Sequence, residues 1–307
     1  MTRARSGARG LADGTAGPTP TVGVIGLGTM GLPMAKNVLA AGFPLVAHNR
    51  SRGPVDALVA LGATAAASPD ELAGLSDIVI TVLPDSPDVE AVVRGGRGVA
   101  AGIRPGSMLI DMTTASPALA RDIAEYFHDR DVAVLDAPVS GGETGAVSGE
   151  LSIMVGGDED AYQRALPVLA AMGKTIVLVG GAGAGQVTKA ANQMVVAITI
   201  AGVSEALLMA MKAGVDPEKV RQALLGGFAQ SRILDLHGGR ILARDYQPGF
   251  RSALQRKDLR IAAETAKAVK SSAPTTELVL DLYGDLVARG MGELDHSALA
   301  AFLEEAS

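Results

Sequence analysis

Apolar positions along the chain fall into two regimes. Up to about residue 180 they come in short runs: Thr21-Val-Gly-Val-Ile-Gly26, Pro44–His48, Asp77–Leu83, Ser107–Asp111, Val132–Asp136, Leu151–Val155 and Thr175–Val179. Continuous apolar runs of this length, rich in Val and Ile and bounded by turn residues, read as buried strands of a parallel sheet. Helically spaced stretches separate most of them, among them Met30 to about Ala41, closed by Gly42, and Pro117–Asp129. Strand alternating with helix predicts an α/β fold with a mostly parallel sheet covered on both faces. After Gly185 the strand signals stop. A proline-free helical stretch runs from Gln186 to Ala213, roughly 40 Å at about 1.5 Å per residue. Helical spacing continues to the end, with breaks at Gly214, Gly226-Gly227, Pro248-Gly249 and Ala273-Pro274. The glycine cluster Gly181–Gly185 marks the expected boundary: a tail over 1–19, an α/β domain over 20–182, and an all-helical domain over 183–307 joined to it through the long helix.

The bulk numbers narrow the classes. A chain of 307 residues is too long for one ordinary core, which fits two domains. The net charge of −6 argues against nucleic acid or an anionic membrane as partner, because either would need a basic face. With no cysteine, thiol catalysis, disulfides and thiolate metal sites are excluded. The four histidines show no metal-ligand spacing, so no metal is expected. No apolar run reads as the roughly 18 residues of a membrane span; the most apolar stretch, Val187 to Ala213, is interrupted by Lys189, Glu205 and Lys212. The first twenty residues are rich in Gly, Ala, Thr, Pro and Arg and lack the apolar core of a secretory signal, so the expectation is a disordered tail on a cytoplasmic protein.

Gly26-Leu27-Gly28-Thr29-Met30-Gly31 is a G-x-G-x-x-G run that follows the first strand and opens a helix. In that context it is a dinucleotide fingerprint, and it makes the first domain Rossmann-like. Gly26 allows the tight turn, Gly28 lets the backbone approach a pyrophosphate, and Gly31 permits close helix–strand packing. The helix N-terminus offers free N–H groups and a positive dipole end. The second strand ends in His48-Asn49-Arg50-Ser51. A carboxylate there would bond a ribose 2′-hydroxyl; none is present, and Arg50 offers a fork for a phosphate. NADP(H) is therefore favoured, with NAD(H) as the alternative. Leu83-Pro84 and Asp111-Met-Thr-Thr114 end two further strands, where a dinucleotide sheet holds the rest of its cofactor.

Two further stretches carry candidate chemistry. Asp136-Ala-Pro-Val-Ser140-Gly141-Gly142 follows a strand and offers a hydroxyl and successive backbone N–H groups, which suits a carboxylate; an ordinary glycine loop is the alternative. Lys189 and Asn192 lie at i, i+3 near the start of the long helix, on one face and among apolar neighbours. Burial there would lower the pKa of Lys189 into the range useful for proton transfer; a lysine reaching out to solvent is the alternative. Lys257-Asp258-Leu259, on its own, reads as a solvated helix face.

Four motifs together resemble the β-hydroxyacid dehydrogenase (3-hydroxyisobutyrate dehydrogenase) family: Gly26–Gly31, Asp136–Gly142, Gly183-Ala-Gly-Gln-Val-Thr-Lys-Ala-Ala-Asn192 and Lys257-Asp-Leu259. The likeness covers about Thr21 to Leu303. It implies a Rossmann-like domain followed by an all-helical one, with Lys189 as catalytic acid/base, Ser140, Gly141 and Gly142 gripping a substrate carboxylate, and Asn192 orienting the substrate. It also implies that Leu83, Pro84, Thr114 and Lys257 contact the cofactor. Runs such as Gly141-Gly-Glu-Thr-Gly-Ala146 and Asp295-His-Ser-Ala-Leu299 are most similar to the branch that reduces tartronate semialdehyde to glycerate. Sister activities on 3-hydroxyisobutyrate, glyoxylate or succinic semialdehyde stay open. An imine reductase or a non-catalytic scaffold fits poorly, because Lys189 is present. Asn49, Arg50 and Ser51 stand at expected cofactor-contacting positions, and Asn49 departs from the acidic residue of NAD-preferring relatives. The resemblance further implies a homodimer or homotetramer.

Overall fold

The computed structural model describes residues 19–305; the expected tail falls outside the described residues except for its last position. Among the described residues, nine strands form one sheet: β1 Val22–Ile25, β2 Leu45–His48, β3 Thr64–Ala65, β4 Ile78–Thr81, β5 Met108–Asp111, β6 Ala133–Asp136, β7 Val139–Ser140, β8 Leu151–Gly156 and β9 Gly173–Gly180. Their spatial order is β3-β2-β1-β4-β5-β6-β8-β7, with β9 on β8. The first six run parallel in the order of a dinucleotide-binding sheet. Two apolar layers cover its faces, one around Met34, Ile80, Ile110 and Leu135, the other around Leu72, Val79, Leu109 and Phe127. That two-sided cover is why the central strands are apolar at every position.

Every strand expected from the pattern is present within two residues of its expected ends. β3 and β7 went unpredicted, since a two-residue strand has no periodicity to read. The sheet also departs from parallel at its far side, where β8 pairs antiparallel with both β6 and β7.

The long helix spans Ala184–Lys212, starting two residues earlier than its periodicity suggests. Asp136, at the end of β6, sets that start: its carboxylate accepts from the N–H of Gly183 at 2.7 Å and of Gln186 at 2.8 Å. The helix begins hard against the sheet, because a Cβ on Gly185 would strike the carbonyls of Met154 and Asp136. By length and composition it is apolar enough to cross a membrane, which the interrupting charges had argued against. Its packing is that of a core helix. It lies against β8 and β9, then against the helices Arg232–Leu242, Ser252–Ala268 and Leu299–Glu305, with Ile200, Leu259, Tyr283 and Phe302 at the centre of the helical core. Pro217–Leu225 and Pro274–Leu286 complete that part, each with a proline in its first turn. The Pro248-Gly249-Phe250 break is pinned by the buried Asp295, which accepts from the N–H groups of Gly249 at 3.0 Å and Phe250 at 3.1 Å. This pin sets the entry of Ser252–Ala268, the helix that carries Lys257 and Asp258.

Candidate active site

The glycine run behaves as its spacing implies. Gly26 sits at φ +95°, open to glycine and closed to most side chains. A Cβ on Gly31 would collide with the Gly26 carbonyl, whereas one on Gly28 would meet nothing within 4 Å. Space is thus left at the one position where a ligand backbone should approach. The helix Gly31–Ala40 has no side-chain cap and no acidic residue in its first turn, so its N-terminal N–H groups stay open to an anion. Leu27 is buried beneath the loop, while Thr29 is exposed and Met30 partly so. These features fit the pyrophosphate of a dinucleotide.

The end of β2 divides its labour differently from the expectation. Asn49 is committed to the loop itself: its Oδ1 accepts from Leu27 N–H at 3.0 Å, and its Nδ2 donates to Ser51 Oγ at 2.8 Å. Asn49 therefore shapes the glycine turn from behind. Arg50 is exposed and, among the described residues, has no hydrogen-bonding or ionic partner, so its guanidinium is available to a phosphate. Ser51 begins the helix Arg52–Val59.

Lys257 is no solvated helix residue. Its Nζ donates to the carbonyls of Pro84 at 3.1 Å and Thr114 at 2.8 Å, and faces Asp258 Oδ1 at 3.0 Å. One ammonium thus ties together the two strand-end loops expected to wall the cofactor. Leu83 N–H donates to Thr113 Oγ1 at 2.9 Å, which links the same loops a second time. The predicted Leu83, Pro84, Thr114 and Lys257 form one structure.

Lys189 is 6% exposed. The apolar neighbourhood read from the sequence is only partly the cause, because Val187 and Val195 point outward. The lysine instead enters a buried polar chain. Its Nζ donates to Gln193 Oε1 at 3.1 Å, and Asn192 Nδ2 donates to the same oxygen at 2.7 Å. Gln193 Nε2 donates to Asp258 Oδ2 at 2.6 Å. Burial lowers the pKa of Lys189 to about 8, against the pull of the Asp258 carboxylate, with Lys257 adding to the lowering. An amine so placed exchanges a proton near neutrality. Gln193 and Asp258 were not singled out in the sequence as partners of the lysine; the i, i+4 spacing of Lys189 and Gln193 was the available signal.

Ser140 ends β7, beside β8, and the start of the long helix packs on β8. Gly141 and Gly142 take φ of +138° and +62° and open the helix Gly142–Ser148. The Ser140 hydroxyl has no partner among the described residues. The hydroxyl and glycine backbone thus lie beside β8, the strand on which the lysine helix also packs.

His237, Asp295 and His296 bring their ligand atoms within 4.8 Å of one another, a cluster that histidine spacing alone does not show. Asp295 is taken up by backbone N–H groups, by Ser297 and by Arg240 at 3.1 Å, and His296 Nδ1 lies 3.1 Å from Gln255 Oε1. The cluster is a hydrogen-bonded buttress beneath the Ser252–Ala268 helix, and no metal is assigned to it.

Residues 21–181 match the family model described as the NAD binding domain of 6-phosphogluconate dehydrogenase. Residues 183–303 match that of the NAD-binding domain of NADP-dependent 3-hydroxyisobutyrate dehydrogenase. The chain is 47% identical over 284 residues to 2-hydroxy-3-oxopropionate reductase of Escherichia coli, covering 92% of this chain and 97% of the relative. It is 38% identical to the NAD-dependent L-serine dehydrogenase of Pseudomonas aeruginosa, covering 91% and 96%. Among solved structures, 3-hydroxyisobutyrate dehydrogenase of Mycobacterium tuberculosis with L-serine superposes with a TM-score of 0.85 at 33% identity, covering 93% and 99%.

Proposed function

The chain belongs to the β-hydroxyacid dehydrogenase family, and from that premise we propose that it reduces tartronate semialdehyde (2-hydroxy-3-oxopropionate) reversibly to glycerate, with Lys189 as the general acid. It is an NAD(P)-dependent oxidoreductase acting on CH–OH groups. The observation that carries the mechanism is the buried lysine in its Gln193–Asp258 chain. The observation that favours this substrate is the similarity to the E. coli reductase over nearly the whole of both chains.

The site residues take these roles. Gly26 to Gly31 receive the pyrophosphate, and Arg50 takes the 2′-phosphate, which favours NADPH. Leu83, Pro84 and Thr114, clamped by Lys257, wall the nicotinamide end. When bound, the nicotinamide supplies the hydride. Ser140 and the Gly141 and Gly142 backbone grip the substrate carboxylate. Asn192 orients the substrate and steadies Gln193. Lys189 hydrogen-bonds the aldehyde oxygen and passes its proton there as negative charge develops. In oxidation the neutral amine takes the hydroxyl proton. Asp258, through Gln193, keeps the lysine directed into the site.

The proposal includes the division into domains over 20–182 and 183–307, a cytoplasmic location, and a homodimer or homotetramer. Val195 and Met209, exposed on the long helix, support a shared face. A steady-state panel of tartronate, succinic and methylmalonate semialdehydes and glyoxylate, each with NADPH and NADH, tests the substrate. Tartronate semialdehyde with NADPH should show the highest kcat/KM. A clear preference for another aldehyde, or for NADH, would overturn that part.

A further inference from the structure

Asp111 and Asp136 stand side by side in register at the carboxyl ends of the parallel strands β5 and β6. Both are buried, and their partners are hydroxyls and backbone N–H groups rather than cations. A carboxylate held this way is costly unless its hydrogen bonds are needed. Asp136 has a plain task, the start of the long helix. Asp111 has no part in the chemistry above.

Its bonds lead to the cofactor wall. Thr81 Oγ1 donates to Asp111 Oδ1 at 2.8 Å, and Thr113 N–H donates to the same oxygen at 3.1 Å. The Thr113 hydroxyl also serves this carboxylate. That hydroxyl accepts from Leu83 N–H at 2.9 Å. Its proton is free to point at Asp111 because its oxygen accepts from Leu83, so the chain of donors runs one way, from Leu83 to Thr113 to the carboxylate. Gln186 then fastens the same loop to the long helix, donating to Thr113 O at 2.7 Å and accepting from Ala115 N–H at 3.0 Å.

We propose that Asp111 is a positioning residue for cofactor binding: its carboxylate, through Thr113, holds the loops at Leu83-Pro84 and Thr113-Thr114 in the arrangement that receives the nicotinamide end. This rests on the reading of the cleft as a dinucleotide site. The arrangement is sensitive to protonation, because a protonated carboxyl loses acceptor strength toward three donors at once. Burial raises Asp111 to about 6, against the bonds from Thr113 and Thr81, and the charge of Asp136 on the neighbouring strand raises it further. From the helical side, Lys257 reaches the Thr114 carbonyl in the same loop and pairs with Asp258.

The test is direct binding of NADPH and of NADH, read by fluorescence from pH 5 to pH 8, for wild type, Asp111→Asn, Thr113→Val and Thr81→Val. Asn stands in for the protonated acid. Wild type should bind about tenfold more weakly at pH 5 than at pH 8, with a midpoint near 6. Asp111→Asn should be weak throughout and lack that midpoint, meeting wild type at pH 5. Thr113→Val should weaken binding at pH 8 and serves if Asp111→Asn does not fold. Thr81→Val should bind normally at pH 8 with its midpoint moved upward, since one bond favouring the carboxylate is gone. Variant curves parallel to wild type overturn the proposal alone. Wild-type protein that binds neither dinucleotide at any pH overturns the cofactor reading and the proposal together.

Discussion

A lysine 6% exposed, bonded to an amide oxygen rather than paired directly with a carboxylate, is held where its charge is poorly solvated. Its pKa of about 8 in the fold, against 10.5 unfolded, means that the unfolded chain binds more protons between those values. Stability should therefore rise with pH across that window, and the full penalty applies below it. Lys189→Met should stabilise the cofactor-free protein at pH 7 by an amount on the order of 1–3 kcal/mol, seen as a higher melting temperature, while lowering turnover by orders of magnitude. A lowered melting temperature in calorimetry would show that the amine is not strained. In catalysis the proton must be on the lysine for reduction, so kcat/KM for the aldehyde should fall above a pH of about 8. Asp258 raises the lysine pKa, so Asp258→Asn should move that limb to lower pH. An unmoved limb would detach Asp258 from the lysine.

At the scale of elements, the Asp136 cap decides where the long helix begins. Asp136→Ala leaves the N–H groups of Gly183 and Gln186 without their acceptor and should cost about 1–2 kcal/mol in urea unfolding. It should also raise KM for the aldehyde, because Lys189 and Asn192 ride on that helix. Elements of this kind were largely legible in the sequence. The glycine run was readable because each glycine answers a local backbone demand, and Lys189 because a cation in an apolar helix is anomalous. The Gln193–Asp258 bond joins residues 65 apart, and no local pattern foretells it. For Asn49 the sequence shows only its position at the end of β2; its bond to Leu27 N–H depends on how the turn folds. The antiparallel pairing of β8 is with β6 and with the two-residue β7, whose presence the pattern does not show.

At the scale of the molecule, Lys257 ties the helix Ser252–Ala268 to the strand-end loops at Pro84 and Thr114, and a 3.4 Å ion pair between Arg260 and Asp85 joins the same helix to the first of those loops. The Arg260 pair is exposed and worth little, whereas Lys257 is mostly enclosed and donates to a loop carbonyl on each side. Lys257→Met should raise the dissociation constant of NADPH about tenfold and speed amide exchange at Leu83 and around Thr114, with the strands β1 and β4 unaffected. Uniform exchange across the sheet would make Lys257 a general stabiliser instead.

The most direct test of the account is turnover of tartronate semialdehyde by Lys189→Met under saturating NADPH, with cofactor binding confirmed by fluorescence in the same preparation. General acid catalysis of this kind contributes about 10²–10⁴-fold. The account predicts a loss of that size in kcat with NADPH affinity within a few-fold of wild type. Near-normal kcat in a variant that still binds NADPH would contradict it.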